Sequence, residues 1–363
     1  MVKQRKVAVL QPEIPHYRTE FFSLLKDEEP VVDLYTYNVS ESVRKSGFSI
    51  GMESEYIPNI KKGGLLLYAP WKLLVSKYDT LVLMLHQGHI TTWLLLLTKW
   101  LHQKKIVVWG QGISVKRYLK EEKKPSRWLK WQIALADGAW IYMEKEANMW
   151  REQFPQKPIV ALNNSVSNIT EMLDDDSSKQ VDALKKKYNI TEDLVFIFCA
   201  RFGSPFRRVD LMEQLMQRLD KKKYGFIIIG DGKGKPDFLK YPNVHDFGAV
   251  YDDHVKRELF AIADAYLQPG WIGLSVVEAM AYRLPVCTFR RKGNEIRHGV
   301  EYGILKDGVN AMLFDSIDEA VKRIDNITTG ELVEMGNNAH DYIAQNHTPK
   351  IMVENAMKVL ERI

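Results

Sequence analysis

A group of side chains in the C-terminal half is spaced to hold a phosphorylated ligand. The apolar run "LVFIFCA" delivers Arg201 at its end, and "RFGSPFRRVDL" then sets Arg207 and Arg208 at the mouth of a helical pattern. Guanidinium groups at the carboxyl end of a strand suit a diphosphate, because each can grip phosphate oxygens in bidentate fashion. A solvated basic loop is the plainer alternative. Further on, "QPGWIGLSVVEAMAY" reads as a strand end, a turn over Gly270–Gly273 and a helix from Leu274 to Tyr282. The first amides of a helix have no intrahelical partners and carry its positive dipole end, so Gly273, Leu274 and Ser275 offer a seat for phosphate. Glu278 lies more than one turn in. Inside so apolar a helix a carboxylate needs a partner: a ribose diol supplies two donors, and a bond to a neighbouring loop would serve as well.

Two further turns lie between these stretches. "FIIIGDGKGKPD" ends a strand in Gly230-Asp231-Gly232, a tight turn that permits close backbone approach. It is not a dinucleotide fingerprint, since Gly230, Gly232 and Gly234 do not give G-x-G-x-x-G, and this weakens a dehydrogenase reading. "NVHDFGAV" places His245, Asp246 and Phe247 on a short strand before Gly248. Its backbone groups could meet a planar base, or it is a plain strand-to-loop exit.

The elements that must position these residues form two series. At 363 residues the chain is long enough for two domains. In the first half, "KVAVLQ", "VVDLYTY", "TLVLML", "KIVVWG", "AWIYM" and "PIVALN" alternate with amphipathic stretches such as "ITTWLLLLTKWLHQ". Near-continuous apolar strands between helices predict a parallel sheet covered on both faces. The polar, acidic "SNITEMLDDDSSKQ" at 167–180 reads as a linker, after which a second alternation runs from "LVFIFCA" to "IDEAVKRI". The expectation is an α/β protein with a Rossmann-like doubly wound domain over 1–170, a second over 171–345, and a C-terminal helix over 346–363 that packs back on the first. In such sheets ligands bind at the carboxyl ends of the strands, so two facing units would hold a site in the cleft between them.

The order Arg–x–Lys/Arg, "GDG", "F-G", a loop and helix with Glu–seven–Glu, then "P-V" resembles the family-4 retaining glycosyltransferases, glycosyl transferases group 1, of the GT-B fold. "PHYRTEFF", "KIVVWGQG" and "LNNSV" resemble that family too, especially members that build bacterial surface polysaccharides. The likeness covers about residues 6–345. It implies transfer of a sugar, with retention, from a UDP- or GDP-linked donor to a glycan or lipid-linked acceptor, with no essential metal and no cofactor beyond the nucleotide sugar. By position, Arg201 and Arg207 resemble the residues that bind the donor diphosphate, with Arg207 standing for a lysine. Glu278 resembles the ribose-binding Glu, and Leu274 and Ser275 the phosphate-binding helix start. Gly230 and Asp231 match "GDG", and His245, Asp246 and Phe247 lie where the base is held. Glu301 falls where many members write Pro-Glu. There are two departures. Gly270 stands where the first Glu of the pair is expected, and Gln111 stands where relatives carry a His facing the donor sugar. Both touch the sugar and its reaction centre, not the diphosphate. Acceptor-side candidates are His16, Tyr17, Arg18 and His86, with His89 close by; for each lone histidine, packing or surface exposure is the competing role. A non-catalytic nucleotide-sugar binder of the same fold is the second reading, on the strength of Gly270 and Gln111. An epimerase of the same fold would show a cluster of acids, and none is legible.

Charge divides unevenly. Residues 1–170 hold 24 Lys+Arg and 16 Asp+Glu, a balance of +8, which leaves −3 for the remainder of a chain of net charge +5. Eight of nine Trp fall in that basic half, and residues 99–131 carry ten Lys/Arg against two Glu together with Trp100, Trp109, Trp128 and Trp131. Such a mixture suits an anionic membrane surface, nucleic acid, or a solvated basic face over core tryptophans. No helix-turn-helix or aromatic sheet platform is legible, which argues against nucleic acid. Cys199 and Cys287 sit in apolar strand runs and read as reduced core residues. With no signal-peptide pattern and no apolar run near the ~20 residues of a spanning helix, the expected location is the cytoplasm, peripheral at the inner membrane face.

Overall fold

The computed structural model describes residues 6–28, 31–38 and 52–363. The chain divides into two compact units. One comprises Met1–Ser167 with His347–Ile363, the other Asn168–Asn346. The first crossing falls in the stretch read as a linker. Each unit is an α/β layer with its own parallel sheet.

In the first unit the strands are β1 (Lys6–Gln11), β2 (Val31–Thr36), β3 (Glu55–Tyr56), β6 (Thr80–Met84), β7 (Lys105–Gly110), β8 (Gly138–Ile141) and β9 (Ile159–Ala161), with β4 (Asn59–Lys62) and β5 (Leu65–Tyr68) forming a separate antiparallel hairpin. The main sheet runs β3-β2-β1-β6-β7-β8-β9, parallel throughout. β7 shows why: after Lys105, every residue of "IVVWG" is buried, as a strand covered on both faces requires. Chain order reverses between β1 and β6, so the crevice at their carboxyl ends is the topological switch point. The short β3 and the hairpin are absent from the sequence expectation, because their exposed faces interrupt the apolar run that marks a buried strand.

The second unit has β10 (Leu194–Cys199), β11 (Tyr224–Ile229), β12 (Val244–Asp246), β13 (Ala265–Leu267), β14 (Val286–Phe289) and β15 (Ala311–Phe314) in the order β12-β11-β10-β13-β14-β15, again all parallel. Its switch point lies between β10 and β13. The helix Thr329–Asn346 escapes the sequence reading. It buries only a narrow stripe, Leu332, Met335, Gly336, Ala339 and Ile343, among polar residues. Gly336 lets it approach the chain closely, since a Cβ there would lie 2.0 Å from the Arg283 carbonyl oxygen.

The C-terminal helix Pro349–Leu360 completes the first unit. Met352, Val353, Ala356 and Val359 pack into the core of Phe21, Phe22, Trp109 and Trp140. His347 leads into it, fully buried, with Nδ1 3.2 Å from the Asn164 carbonyl oxygen. Burial holds His347 down to about 4. Burial, then the neighbouring His86 and Lys61, does the same to His89, again to about 4. Both are neutral in the folded chain, whereas an unfolded histidine takes up its proton near 6.5. The unfolded chain therefore binds more protons between those values, and stability falls as pH falls through that window. Each histidine should withdraw about 2 kcal/mol at about pH 5 relative to about pH 7.5. Urea melts at the two pH values, followed by tryptophan fluorescence, should show this; an equal midpoint at both would contradict it.

Candidate functional site

The C-terminal site is built where β10 and β13 part. β10 ends at Cys199 and delivers Arg201, which is exposed. The chain then makes a 3-10 turn, Pro205–Arg207, whose start is capped by Ser204 accepting from the Phe206 amide at 3.3 Å. Arg207 is half-buried and points across the loop, donating from Nη1 to the Trp271 carbonyl oxygen at 3.4 Å. Burial weakens its hold on its proton. Arg208 goes the other way. In left-handed conformation (φ 53°) it forms a two-pronged pair with Asp210, at 2.8 and 2.7 Å, and a bond to the Glu295 carbonyl oxygen. Of the two adjacent guanidinium groups, then, Asp210 claims that of Arg208, while that of Arg207 donates into the β13 loop.

β13 is followed at once by Gln268, which the sequence reading passed over. Its buried side chain organises the loop. Nε2 donates to the Trp271 carbonyl oxygen at 2.5 Å, and Oε1 accepts from Tyr266 Oη at 2.7 Å and Ser275 Oγ at 3.2 Å. Ser275 is thereby held at the first residue of the helix Ser275–Ala281, which begins one residue later than expected and has no side-chain cap. Glu278, the fourth residue of that helix, meets Lys256 at 2.5 Å. Its protein partner is therefore a cation on the adjacent helix Asp253–Ile262, not a loop donor. Burial works against the Lys256 ammonium, the Glu278 carboxylate outweighs it, and Lys256 holds its proton more tightly than a free lysine. Arg207, Lys256 and Glu278 all act electrostatically on the Cys199 thiol, which burial pushes up to about 12. Arg207 and Gln268 both donate to the Trp271 carbonyl oxygen, and Gln268 in turn holds Ser275, so these three side chains meet around the β13 loop.

Gly270 has a structural reason to lack a side chain. A Cβ there would stand 2.4 Å from the Phe206 carbonyl oxygen and 2.9 Å from Arg208 Cγ. Its amide also donates to the Arg207 carbonyl oxygen at 3.2 Å. The arginine turn lies directly over the position of the missing acid. Next to it, Trp271 adopts φ 56°, an unusual conformation for a bulky residue. It is held there by stacking on Phe206 at 5.5 Å between centroids and by its amide donating to the Arg297 carbonyl oxygen at 2.8 Å. The Arg297 guanidinium also sits 4.7 Å from the Phe206 ring centroid. Segment 297–299 braces the loop from behind, with His298 Nδ1 accepting from the Ile272 amide and the Gly299 amide donating to the Ile272 carbonyl oxygen. Glu301 is buried beside it.

The "GDG" turn serves the fold before any ligand. Gly230 and Gly232 have φ of 141° and 143°, and a Cβ on Gly230 would lie 2.0 Å from the Ala200 carbonyl oxygen. The backbone that approaches so closely is the chain's own exit from β10. Asp231 is exposed and accepts from the Gly232 amide. Lys235, also missed from sequence, ties this turn to the next strand by donating to the Gly230 carbonyl oxygen at 2.9 Å and pairing with Asp246 at 2.7 Å. His245 pairs with buried Glu192 at 3.1 Å, and Phe247 packs edge-on against Tyr188. Asp246 also accepts from the Gly248 amide at 3.0 Å, and the Gly248 carbonyl oxygen accepts from the Gly230 amide at 2.6 Å, so this exit is tied to the turn after β11.

In the first unit the candidates lie on the loops after β1, β6 and β7. His16 is exposed at the start of a 3-10 turn, with its ring edge-on to Tyr17. Arg18 is buried. Its Nη1 donates to Gln11 Oε1 at 3.1 Å, and its guanidinium lies 5.0 Å from Trp109 and 5.2 Å from Tyr142. An arginine enclosed in this way holds the loop after β1 in place. His86 is exposed and His89 is buried behind it, with ring centroids 4.7 Å apart. Gln111 is exposed on the turn after β7, and Gly112 (φ 73°) beyond it is fixed by Trp150 Nε1 donating to its carbonyl oxygen at 2.8 Å. Among the described residues no group of His, Cys, Asp or Glu is arranged to hold a metal ion.

Residues 193–330 match the sequence model of the family Glycosyl transferases group 1. No curated protein matches the chain at the level of sequence. Among solved structures, Anabaena HepE in complex with UDP superposes with a TM-score of 0.66 at 15% identity, covering 99% of this chain and all of that one. A glycosyltransferase from Rickettsia africae gives 0.64 at 12% identity, covering 99% and 98%. The lipopolysaccharide outer core galactosyltransferase WaaB gives 0.63 at 14%, covering 99% and 100%. The fold is GT-B, and both Rossmann-like units have counterparts in these proteins.

Proposed function

We propose that this chain, whose second unit carries the glycosyl transferases group 1 signature, is a glycosyltransferase that moves a sugar from a nucleoside diphosphate to an acceptor with retention, in bacterial surface-polysaccharide assembly. The observation that carries this reading is the loop after β13, where Arg207 and Gln268 both bond the Trp271 carbonyl oxygen, Gln268 holds Ser275, and the helix that Ser275 starts carries Glu278 paired with Lys256. Similarity to HepE solved with UDP and with UDP-glucose supports a nucleotide sugar as ligand. Arg201 and Arg207 take the diphosphate, the amides from Gly273 to Ser275 the distal phosphate, Glu278 the ribose, and the Asp246–Gly248 exit the base. As the glycosidic bond breaks, negative charge gathers on the departing diphosphate. Groups already aimed at that charge lower the barrier without reorganising. The acceptor, a glycan or a lipid-linked saccharide, belongs to the loops of His16, His86 and Gln111 in the first unit.

A charge-assisted hydrogen bond contributes ~1.5–3 kcal/mol. Arg201→Ala should therefore slow turnover by roughly ten- to a hundred-fold with little change in stability, since Arg201 is exposed. Nucleotide release from a panel of UDP- and GDP-sugars, with and without a saccharide acceptor, measures this; full activity in purified Arg201→Ala protein would end the proposal. The closed position over Gly270 favours one second reading, a nucleotide-sugar binder without transfer. Thermal shifts with UDP or GDP but no sugar consumed under any acceptor condition would select it.

A further inference from the structure

We propose that the first unit docks on an anionic lipid surface through one face, formed by the helices Ile90–Leu97, Lys99–His102 and Arg127–Leu135 and the β4–β5 hairpin. The helix Ile90–Leu97 buries Thr91, Thr92, Leu95 and Leu96. Its opposite stripe, Ile90, Leu94 and Leu97, continuing to Leu101, is aliphatic and exposed. A helix that is apolar on both sides has a second medium to meet. Trp100 is 74% exposed, and Trp128 and Trp131, one turn apart on the next surface helix, are each 62% exposed. The two helices adjoin, since Trp93 packs edge-on against Trp128 at 6.1 Å. The hairpin joins the same face. Leu65 and Leu67 point outward, while Tyr68 is bonded through its carbonyl oxygen to Thr91 Oγ1 at 2.8 Å. A contiguous apolar surface of this kind marks an interaction site on a soluble unit. Trp109, grouped with these tryptophans by sequence, is instead wholly buried.

Charge selects the partner. Lys123, Lys124, Arg127 and Lys130 lie around the tryptophans and Lys61 and Lys62 on the hairpin, all exposed, and among the described residues no ion pair engages any of the six. The acids next to them are already matched, Glu121 to Arg117 and Glu122 to Lys145. Tryptophans at headgroup depth, leucines at the acyl boundary and unmatched cations among phosphates are the arrangement an anionic bilayer rewards. A second copy of the chain would instead oppose two faces of like charge. The face is also fastened to the loop after β6. Gln132 Nε2 donates to the His86 carbonyl oxygen at 3.1 Å, and Trp93 Nε1 to the Gln87 carbonyl oxygen at 2.9 Å. A docked unit therefore holds the His86–His89 loop at a fixed height above the lipid. Docking itself does not depend on the proposed sugar transfer.

Flotation of the full chain with phosphatidylcholine vesicles, with and without phosphatidylglycerol, tests this. The protein should float only with the anionic vesicles, be released by salt, and shift its tryptophan emission to the blue. Lys123→Gln with Lys124→Gln and Lys130→Gln should weaken partitioning by about fivefold per cation removed. Trp128→Ala with Trp131→Ala should weaken it further and abolish the blue shift, with thermal melts unchanged in both variants because these side chains are exposed. No flotation with anionic vesicles, or flotation undiminished in both folded variants, overturns the proposal. A dimer by light scattering that Trp128→Ala dissolves, in protein that does not float, overturns it in favour of a second copy.

Discussion

Gly270→Glu, which writes back the acid that the family pattern places there, should lower stability and donor affinity together. A Cβ at 270 falls 2.4 Å from the Phe206 carbonyl oxygen, inside any tolerable contact, and the obstacle is backbone. The turn Pro205–Arg207 would have to move, carrying with it the Arg207 guanidinium and the Phe206 ring on which Trp271 rests. Gly270→Ala alone should cost about 2–3 kcal/mol, as overpacking does, or roughly 5–10 °C in the melting of a unit this size. The glutamate should cost more, because Gly270 is buried and a carboxylate would enter without a partner. Differential scanning fluorimetry with and without UDP would show both losses. Unchanged melting in Gly270→Glu would mean that the turn yields freely and that the position is merely vacant. The departure from the family pattern is therefore not an open gap awaiting a side chain. In this chain the arginine turn has closed over the place, and under the proposed function recognition of the sugar falls to other groups.

The parallel sheets were legible because strands covered on both faces can only be apolar, and "LVFIFCA" or "KIVVWG" admit no other assignment. The places of Arg201 just after a strand end and of Ser275 at a helix start were legible because there one-dimensional spacing fixes three-dimensional position. What stayed hidden depends on contacts between distant segments. Lys256 lies on a helix whose sequence, "HVKRELF", looks like an ordinary solvated face, and nothing local says that one of its cations turns inward to Glu278. The cover over Gly270 is a carbonyl oxygen, which carries no residue signature at all. Arg18 read as a loop cation because the rings that enclose it, Trp109 and Tyr142, come from elsewhere in the chain. Tryptophan count likewise says nothing of direction, and Trp109 and Trp128 became distinguishable only once one was placed on a central strand and the other on the outside of a helix.

The Lys256–Glu278 pair should show two separable effects. The side chains are 24% and 13% exposed, so each charge relies on the other more than a surface pair does. Glu278→Ala leaves an ammonium among Phe260 and Tyr282, and Lys256→Met leaves a carboxylate in an apolar helix. Either single change should cost about 2–3 kcal/mol, somewhat less than a fully enclosed pair whose partner is removed. Replacing both, Lys256→Met with Glu278→Met, removes the stranded charge along with the pair. It should recover most of the loss, to within about 1 kcal/mol of the parent. Nucleotide affinity should not recover. If Glu278 accepts from the ribose hydroxyls, every variant without it loses roughly ten- to a hundred-fold in UDP or GDP binding, whereas Lys256→Met weakens binding only as far as Glu278 loses its orientation. Urea melts and nucleotide titrations on the three variants separate the roles. A double variant that is stable and binds nucleotide like the parent would make Glu278 a purely structural acid, held for Lys256 and not for a ribose.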